Sequence, residues 1–483
     1  MDRDGPATVD LKQQLDRVFF PRVIAVVGAK RDNDYMWLRA HGPFREHGKV
    51  YHVNIDQREW AGAEELGFTN VPSLLDIPEP VDYVAISVPN KVTPLVLRDC
   101  AAKQVGGAHI FASGFAEMDN EEGRELEATV GRIAREGDFA LIGPNCMGIY
   151  HPALGIRPGG DMPYGQPGYF SYISQSGTTS MAIGSAAPAH GIAVAKGISF
   201  GNGTTIDSPD YLRYLADDDA TEIIGMYLEG VRNGPQFFEA LRFAAGRKPV
   251  LIWKVGSTPE SARAGLSHTG SAPIPADLWD AMLKVAGAVK VNSIEEMLDT
   301  AMALRYVRDP GLGAALIAVS GGHSGKIADV FAHQGFLVPP LSGRSLERVA
   351  EYAELAGGSY ANPIEGPSVR GNGNMSRMLN ILAEDGAFDC IVVEFGAGSV
   401  RRDANAVRDR IEVLQAYRER HPSVPAVTVL STDTPYVEGI DVPAMAREFT
   451  DAGLPCFQSM ERGAIALRSA REYARRSTWL LGR

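Results

Sequence analysis

One pattern of apolar and polar positions recurs along the chain: a short apolar run, a turn containing Gly or Ser, and an amphipathic stretch with helical spacing. Apolar runs of this kind are typical of strands, and their alternation with helices predicts an α/β fold with parallel sheets and crossover helices. The predicted strands are Val23–Gly28, Val50–Asn54, Tyr83–Val88, His109–Ala112, Ala140–Gly143, Tyr169–Ser174, Ile192–Ser199, Glu222–Leu228, Pro249–Val255, Ala314–Ser320, Cys390–Glu394 and Ala426–Leu430. The clearest predicted helices are Lys91–Gln104, Asn120–Glu136, Ser293–Tyr306 and Ser459–Leu480.

Two stretches rich in Gly and Pro, at Pro152–Gly168 and Asp309–Gly313, divide this pattern and predict three domains. The three predicted domains are a Rossmann-like doubly wound domain over 1–150 and two flavodoxin-like domains over 151–307 and 308–483. A weak internal repeat supports the two flavodoxin-like domains. A strand, a Ser- and Gly-rich turn and a helix occur around Ser174–Gly177 and again around Ser320–Gly325. Convergence on a common unit explains this weak repeat equally well.

Charge and cysteine content exclude several classes of protein. The 483 residues carry 47 Lys and Arg against 59 Asp and Glu, a net charge of -12, which opposes general nucleic-acid binding. This net charge is compatible with a local anion-binding site. The four cysteines are far apart without a C-x-x-C pair, so neither a disulfide framework nor a structural zinc site is expected. A polar N-terminus and the lack of a long apolar run lead us to expect a cytoplasmic protein without a membrane span.

The first predicted strand leads into Gly28-Ala29-Lys30-Arg31-Asp32. A dinucleotide-binding turn is G-x-G-x-x-G, so the single glycine weakens a nicotinamide interpretation. Lys30 and Arg31 are suited to a phosphate-bearing ligand, although a plain tight turn with solvated charges fits as well.

Further turn residues follow neighbouring predicted strands. In open α/β sheets ligands bind outside the carboxyl ends of the strands, so these loops predict a rim for one extended ligand. Its members are Val88, Pro89, Lys91, Ser113, Gly114 and Asn145.

A second candidate loop is Ser174-Gln175-Ser176-Gly177, between a predicted strand and a predicted helix. Its N–H groups and hydroxyls would suit a phosphate or carboxylate, but a capped helix start explains the loop alone. The loop lacks G-x-S-x-G, so a hydrolase nucleophile is not indicated.

His268 stands between small residues in Ser267-His268-Thr269-Gly270, and Glu229 follows a predicted strand. Lone histidines are usually structural or solvated, and Glu229 could serve as a helix cap or orient a histidine. Cys146 has no adjacent base that would make it a nucleophile.

In their order and spacing these motifs resemble the α subunit of NDP-forming acyl-CoA synthetases (acetate–CoA ligase, ADP-forming), relatives of the succinyl-CoA synthetase α subunit. The resemblance runs from about Phe19 into the third predicted domain. The motifs that carry it are Ile24–Ala29, Val88-Pro89 with Lys91, Ser113-Gly114-Phe115, Gly143–Gly148, Ile173–Gly177, Tyr227–Val231 and Ser267–Gly270.

The resemblance implies interconversion of acyl-CoA, NDP and phosphate with free acid, CoA and NTP, through an acyl phosphate and a phosphohistidine. His268 would carry the phosphoryl group, Glu229 would orient its imidazole, and Ser174–Gly177 would hold phosphate. The first domain would bind coenzyme A, with Gly28, Lys30, Arg31, Val88, Pro89, Lys91, Ser113, Gly114 and Asn145 on its rim. No ATP-grasp segment is legible, so ATP or ADP with Mg would bind a separate β subunit, and we expect an oligomer.

The chain departs from the family pattern where Ser271–Pro275 follows the histidine motif and where Ser320–Gly325 replaces Asn-Ala-Gly-Gly-Pro-Gly. These changes leave the identity of the small carboxylic acid substrate open. Two alternatives remain at this point. One is a non-catalytic CoA-binding regulator of the same fold, and the other is an NAD-dependent oxidoreductase.

Overall fold

The computed structural model describes residues 10–256, 275–353, 358–432 and 437–481. The chain forms two compact units. The first comprises Met1–Pro188 and Ala193–Asn292, and the second comprises Ala189–Ile192 and Ser293–Arg483. Within the described residues the first unit holds two sheets and the second holds one.

The first sheet has six described parallel strands in the order β3-β2-β1-β4-β5-β6. These strands are β1 Val23–Val27, β2 Lys49–Val53, β3 Thr69–Val71, β4 Tyr83–Ile86, β5 Gly107–Ile110 and β6 Ala140–Ile142. Every residue of β1, β4, β5 and β6 is buried, because helices cover both faces of the sheet. The helices of this part are α1 Leu11–Phe19, α2 Met36–His41, α3 Trp60–Glu65, α4 Thr93–Lys103 and α5 Glu121–Glu136.

The second sheet has the order β12-β11-β10-β8-β9-β7 and is parallel except for β7, which pairs antiparallel with β9. Its strands are β7 Gly148–Tyr150, β8 Phe170–Ser174, β9 Val194–Ser199, β10 Ile223–Leu228, β11 Val250–Lys254 and β12 Val289–Lys290. The helices that follow these strands are α6 Gly177–Ala189, α7 Ser208–Ala216, α8 Gly234–Ala245 and α9 Ala276–Ala286.

The two sheets of the first unit share a hydrophobic core that includes Phe19 of α1 and Tyr214 of α7. Their rings stack with centroids 5.3 Å apart, and the Tyr214 hydroxyl donates to Asp16 at 3.0 Å. A buried ion pair, Lys196 with Asp218 at 2.8 Å, ties β9 to the turn after α7. The contacts between α1 and α7 join the two sheets of this unit.

The second unit contains a four-stranded parallel sheet in the order β13-β14-β15-β16. Its strands are β13 Ala314–Ile317, β14 Cys390–Gly396, β15 Ala426–Ser431 and β16 Cys456–Phe457. Its helices are α10 Ile294–Tyr306, α11 Gly321–His333, α12 Gly343–Ala350, α13 Gly371–Asp385, α14 Ala406–Arg420, α15 Val442–Asp451 and α16 Met460–Leu481. Helix α10, predicted to close the second domain, is held in this unit by Arg462, whose guanidinium pairs with the buried Asp299 at 2.6 Å.

The predicted α/β class with parallel sheets is confirmed. The three-domain division remains a proposal. The strand β7 falls within the proposed first domain, 1–150, but it pairs with β9 in the second sheet. All four cysteines are unpaired and buried. Among the described residues, no helix is both long enough and apolar enough to cross a bilayer.

Candidate functional site

The predicted ligand rim of the first sheet follows four strands that are neighbours in space. The loops after β1, β4, β5 and β6 contain the rim residues, and these strands are consecutive in the sheet. The parallel register, in which Val27 pairs with both Val53 and Ile86, brings the carboxyl ends to one edge. The structure therefore gathers these residues along a single edge.

Gly28 allows the loop after β1 to lie against the loop after β4. Its φ is +83°, and a Cβ at this position would come within 2.5 Å of Val88 Cγ1 and 2.8 Å of the Ser87 carbonyl oxygen. A left-handed conformation in so little space requires glycine.

The charged residues of the rim are exposed, and its two lysines pair with acids. Lys30 Nζ lies 3.2 Å from Asp32, and Lys91 Nζ lies 2.7 Å from Glu122. The Arg31 backbone N–H donates to Glu59 at 2.8 Å. Exposed pairs of this kind exchange partners at little cost, so the cations remain available to an anionic ligand.

The remaining rim residues lie around the loop after β5. Ser113 and Pro89 are exposed, and the Asn90 side chain donates to the Gly114 carbonyl at 2.8 Å. Asn145 has a left-handed backbone, with φ of 58°, and its N–H donates to the Ala112 carbonyl at 3.0 Å.

The loop Ser174–Gly177 joins β8 to α6 and is held by its own hydrogen bonds. The Ser174 hydroxyl donates to the Ser176 carbonyl at 2.7 Å, and Ser176 Oγ accepts from Thr179 N–H at 3.2 Å. The side-chain carbonyl of Gln175 accepts the N–H groups of Glu229 at 2.9 Å and Gly230 at 3.0 Å. Gln175 therefore links the loop to Glu229, the residue predicted to orient the imidazole of His268.

Glu229 follows β10 and is half-buried. The Tyr227 hydroxyl donates to Glu229 Oε1 at 3.5 Å, and burial, assisted by the Glu229 charge, raises the pKa of Tyr227 to about 12. His268, the predicted phosphoryl carrier, lies outside the described residues, as do its neighbours Ser267, Thr269 and Gly270.

A cavity of about 260 Å³ in the first unit brings part of the rim together with the predicted phosphate loop. Its walls are almost entirely polar or small residues, and include Asn145 from the first sheet and Glu229 from the second. The lining residues are Ala116, Glu117, Asn145, Gln175, Ser176, Gly177, Thr178, Gly201, Asn202, Glu229 and Arg232. The first turn of α6 opens into it, and helix N-termini favour anions.

A network of polar side chains on this cavity was not predicted from the sequence. The Asn202 amide donates to Glu117 at 2.6 Å and to the buried Glu127 at 2.8 Å, and Arg232 pairs with Glu127 at 3.2 Å. Glu117 also accepts the N–H of Gly114 at 2.6 Å. The network connects the rim loop after β5 to Asn202 and Arg232, which line the cavity together with the predicted phosphate loop. No local sequence motif marks the members of this network.

Lys254 lies near Glu229 without lining the cavity. It ends β11 two residues before the described chain stops at Gly256, and its Nζ donates to the Val255 carbonyl at 2.8 Å. Burial lowers the pKa of this ammonium. A Cβ on Gly256 would lie 3.6 Å from Lys254 Nζ and 3.8 Å from the Glu229 carbonyl, so Lys254 and Glu229 flank the same stretch of backbone.

Comparison with known families agrees with the two sheets of the first unit. A CoA-binding domain model matches residues 22–152, and a succinyl-CoA ligase-like flavodoxin domain model matches residues 167–304.

Three known proteins define the relationship further. The chain is 32% identical over 381 residues to acetate–CoA ligase [ADP-forming] I of Archaeoglobus fulgidus, covering 78% of this chain but only 54% of that protein. It is 31% identical to the α subunit of acetate–CoA ligase [ADP-forming] II of Pyrococcus furiosus, covering 78% and 81% of the two chains. The solved structure of a dinucleotide-forming acetyl-coenzyme A synthetase 1 from Ca. Korarchaeum cryptofilum, in complex with phosphate and ADP, superposes with a TM-score of 0.82 at 25% identity, covering 97% of this chain and 98% of that one.

These relatives support the ligase interpretation and not the oxidoreductase or the non-catalytic regulator. The chain belongs to the family of ADP-forming acetate–CoA ligase α subunits.

Proposed function

We propose that this chain is the α-type subunit of an NDP-forming acyl-CoA synthetase. It interconverts acyl-CoA, NDP and phosphate with a small carboxylic acid, CoA and NTP. The observation that carries the proposal is the cavity in which Asn145 of the CoA rim meets the loop Gln175–Thr178 and Glu229. A thioester carbonyl and an attacking phosphate must meet in one place, and this cavity adjoins both predicted binding loops.

The residues of the cavity suit a phosphoryl group. The N–H groups at the start of α6 and the Arg232 guanidinium supply positive charge, while Glu229 supplies a carboxylate for an imidazole. In the proposed reaction phosphate oxygen attacks the thioester carbonyl and CoA leaves as the thiol. His268 then attacks phosphorus and releases the carboxylate. Glu229 would accept a hydrogen bond from the N–H of the His268 ring and so present the other ring nitrogen to phosphorus.

Coenzyme A would bind along the rim of the first sheet. Gly28 lets the backbone approach the ligand closely, and Lys30, Arg31 and Lys91 supply cations for its phosphates. Val88, Pro89, Ser113, Gly114 and Asn145 complete the rim.

Nucleotide would bind a partner. The relative from Pyrococcus furiosus is named as a subunit α, and that name supports a second subunit for this chain too. We propose an ATP-grasp β subunit that holds ATP or ADP with Mg and receives the phosphoryl group from His268. The purified chain alone should then show no NTP-dependent acyl-CoA synthesis.

The test is phosphoryl labelling of the full chain with radioactive phosphate and a panel of acyl-CoAs from acetyl to aromatic. We expect a label that is labile in acid and stable in base, as a phosphoramidate is. His268→Ala should abolish the label on the peptide that contains residue 268, and Glu229→Gln should slow labelling of that peptide by about 10²–10⁴-fold, because the orienting carboxylate is lost.

His333→Ala is the matched control, since this exposed histidine lies at the end of α11 with its Nδ1 2.7 Å from the Asp329 carbonyl. It should label at the rate of the unmodified chain. The absence of label from the His268 peptide of the unmodified chain, or a label on that peptide that survives acid, would refute the assignment.

A further inference from the structure

The second unit contains a histidine–carboxylate pair that the proposed function does not use. His323, in the first turn of α11, places Nδ1 2.5 Å from Oε1 of Glu394 on β14. The Glu394 side chain is completely buried, whereas 18% of the His323 side chain is exposed. The second oxygen of Glu394 accepts the Val319 N–H at 2.8 Å.

The pair lies at the ligand-binding end of its sheet. Val319 follows β13, Glu394 is near the end of β14, and Ser431 ends β15 with Oγ 3.4 Å from His323 Nδ1. These three strands are neighbours, and ligands of open α/β sheets bind at their carboxyl ends. A Cβ on Gly322 or Gly325 would meet nothing within 4 Å, so the first turn of α11 has open space beside it.

The hydrogen bonds determine which nitrogen of His323 is reactive. A fully buried carboxylate is costly unless each oxygen receives a donor, so Glu394 holds the proton of His323 on Nδ1. Nε2 then carries the lone pair, and it belongs to the partly exposed ring. An imidazole oriented by a buried acid in this way is a base and a nucleophile. Among the described residues, no group of three or more His, Cys, Asp or Glu side chains is placed to hold a metal ion.

We propose that His323 is a second phosphoryl acceptor of this chain, and that its phosphoryl donor is a small acyl phosphate. This rests on the proposed function, in which an acyl phosphate is formed. The lone pair of Nε2 forms the P–N bond, the P–O bond to the acyl oxygen breaks, and the carboxylate leaves with the electron pair. The positive charge that develops on the ring is balanced by Glu394, which takes a larger share of the Nδ1 proton.

Glu365 opposes this transfer, so its replacement and that of Glu394 should change the transfer rate in opposite directions. A Cβ on Gly321 would lie 3.2 Å from Glu365 Oε1, so this carboxylate adjoins the first residue of α11. Its negative charge repels an incoming dianion. Glu365→Gln should therefore speed phosphoryl transfer to His323, whereas Glu394→Gln should slow it.

The experiment exposes the full chain to acetyl phosphate carrying radioactive phosphorus. Phosphate is then located by mass spectrometry of peptides prepared at neutral pH or above. We expect acid-labile phosphate on the peptide that contains His323, in the unmodified chain and in His268→Ala. The label should disappear from this peptide in His323→Asn and form at least about 10²-fold more slowly in Glu394→Gln. His333→Asn, on the same helix, should change nothing.

The same digest separates this inference from the proposed function. Phosphate on His323 but not His268 supports the second acceptor while the proposed function fails. Phosphate on His268 but not His323 in the folded, unmodified chain overturns the second acceptor alone. The mapping needs no variant, so the result stands even where His323→Asn or Glu394→Gln does not fold, and circular dichroism identifies such a case.

Discussion

At the scale of single residues, Gln175 joins the loop Ser174–Gly177 to Glu229. One side-chain oxygen accepts two consecutive N–H groups, those of Glu229 and Gly230, while the Gln175 N–H donates to the Tyr227 carbonyl at 3.1 Å. The loop Ser174–Gly177 and Glu229 are thereby held in one geometry. We infer that Gln175 is a positioning residue for the proposed labelling of His268.

Gln175→Leu should leave two half-buried N–H groups without their acceptor. We expect the free energy of unfolding to fall by about 1–3 kcal/mol and labelling of His268 to slow. Urea denaturation and the labelling assay measure the two effects. Gln175→Glu, which keeps an acceptor oxygen, is the matched control and should lose less stability. Equal stability of Gln175→Leu and the unmodified chain would contradict this role.

Lys30 and Arg31 give a second test at this scale, directed at the CoA rim. Replacing both with alanine should weaken CoA binding by about 1–3 kcal/mol, because charge-assisted contacts to phosphate are lost. Isothermal titration calorimetry measures the change. Lys12 and Arg132 are also exposed and each pairs with an acid four residues away, so their double alanine variant is the control. Equal losses in both variants, or no CoA binding by the unmodified chain, would oppose the assignment of the rim.

At the scale of elements, the close approach of the loops after β1 and β4 determines the shape of the rim. Gly28 allows it because its Cα carries only hydrogen where Val88 and the Ser87 carbonyl lie. The Ala29 carbonyl accepts two hydrogen bonds. One comes from His52 Nε2 on the neighbouring strand β2 at 2.9 Å, and the other comes from the side chain of Asn54, the residue that follows β2, at 3.0 Å. The loop is therefore rigid on one side and closely packed on the other.

Gly28→Ala should push these two loops apart and strain a left-handed backbone. We expect a loss of stability of more than about 1 kcal/mol and a loss of CoA affinity together. Thermal unfolding and calorimetry are the measurements. Gly234→Ala, at a position where a Cβ meets nothing within 4 Å, should leave both unchanged. Wild-type CoA affinity in Gly28→Ala would show that the ligand does not use this loop.

At the scale of the whole molecule, the first unit keeps several histidines neutral in its interior. Burial lowers the pKa of His41 to about 4, that of His109 to about 3 and that of His151 to about 4. The Arg157 guanidinium beside His41 and the Lys196 ammonium beside His151 act in the same direction. Between pH 6.5 and these lowered pKa values, a proton therefore binds the rings of the unfolded chain and not those of the folded chain.

Stability of the first unit should fall as the pH drops from about 6.5 to about 4. In the unfolded chain these histidines have pKa values near 6.5 and bind protons that the folded chain excludes. Each contributes a loss of up to about 1.4 kcal/mol per pH unit over this window, and the loss ends above pH 6.5. Urea unfolding followed by tryptophan fluorescence measures it, because Trp37, Trp60, Trp253 and Trp279 belong to this unit. A free energy of unfolding that stays constant between pH 7 and pH 4.5 would contradict the burial of neutral rings.

The sequence by itself determined the fold class and the main strands. A parallel strand covered on both faces is apolar along its whole length, so Val23–Val27 and Ile223–Leu228 are legible as continuous runs. Four short strands escaped prediction, namely Thr69–Val71, Gly148–Tyr150, Val289–Lys290 and Cys456–Phe457. Two or three residues are too few to show a period, and such strands form because a neighbouring strand offers hydrogen bonds.

The sequence also indicated which loops carry the candidate site, because Gly, Ser and Asn after an apolar run mark the carboxyl end of a strand. Only the tertiary structure decided which side chains meet there. Asn202, Glu127 and Arg232 come from different loops and helices, and His323 and Glu394 are separated by 71 residues. A hydrogen bond or an ion pair acts over about 3 Å, and only packing of the apolar core brings such distant positions that close.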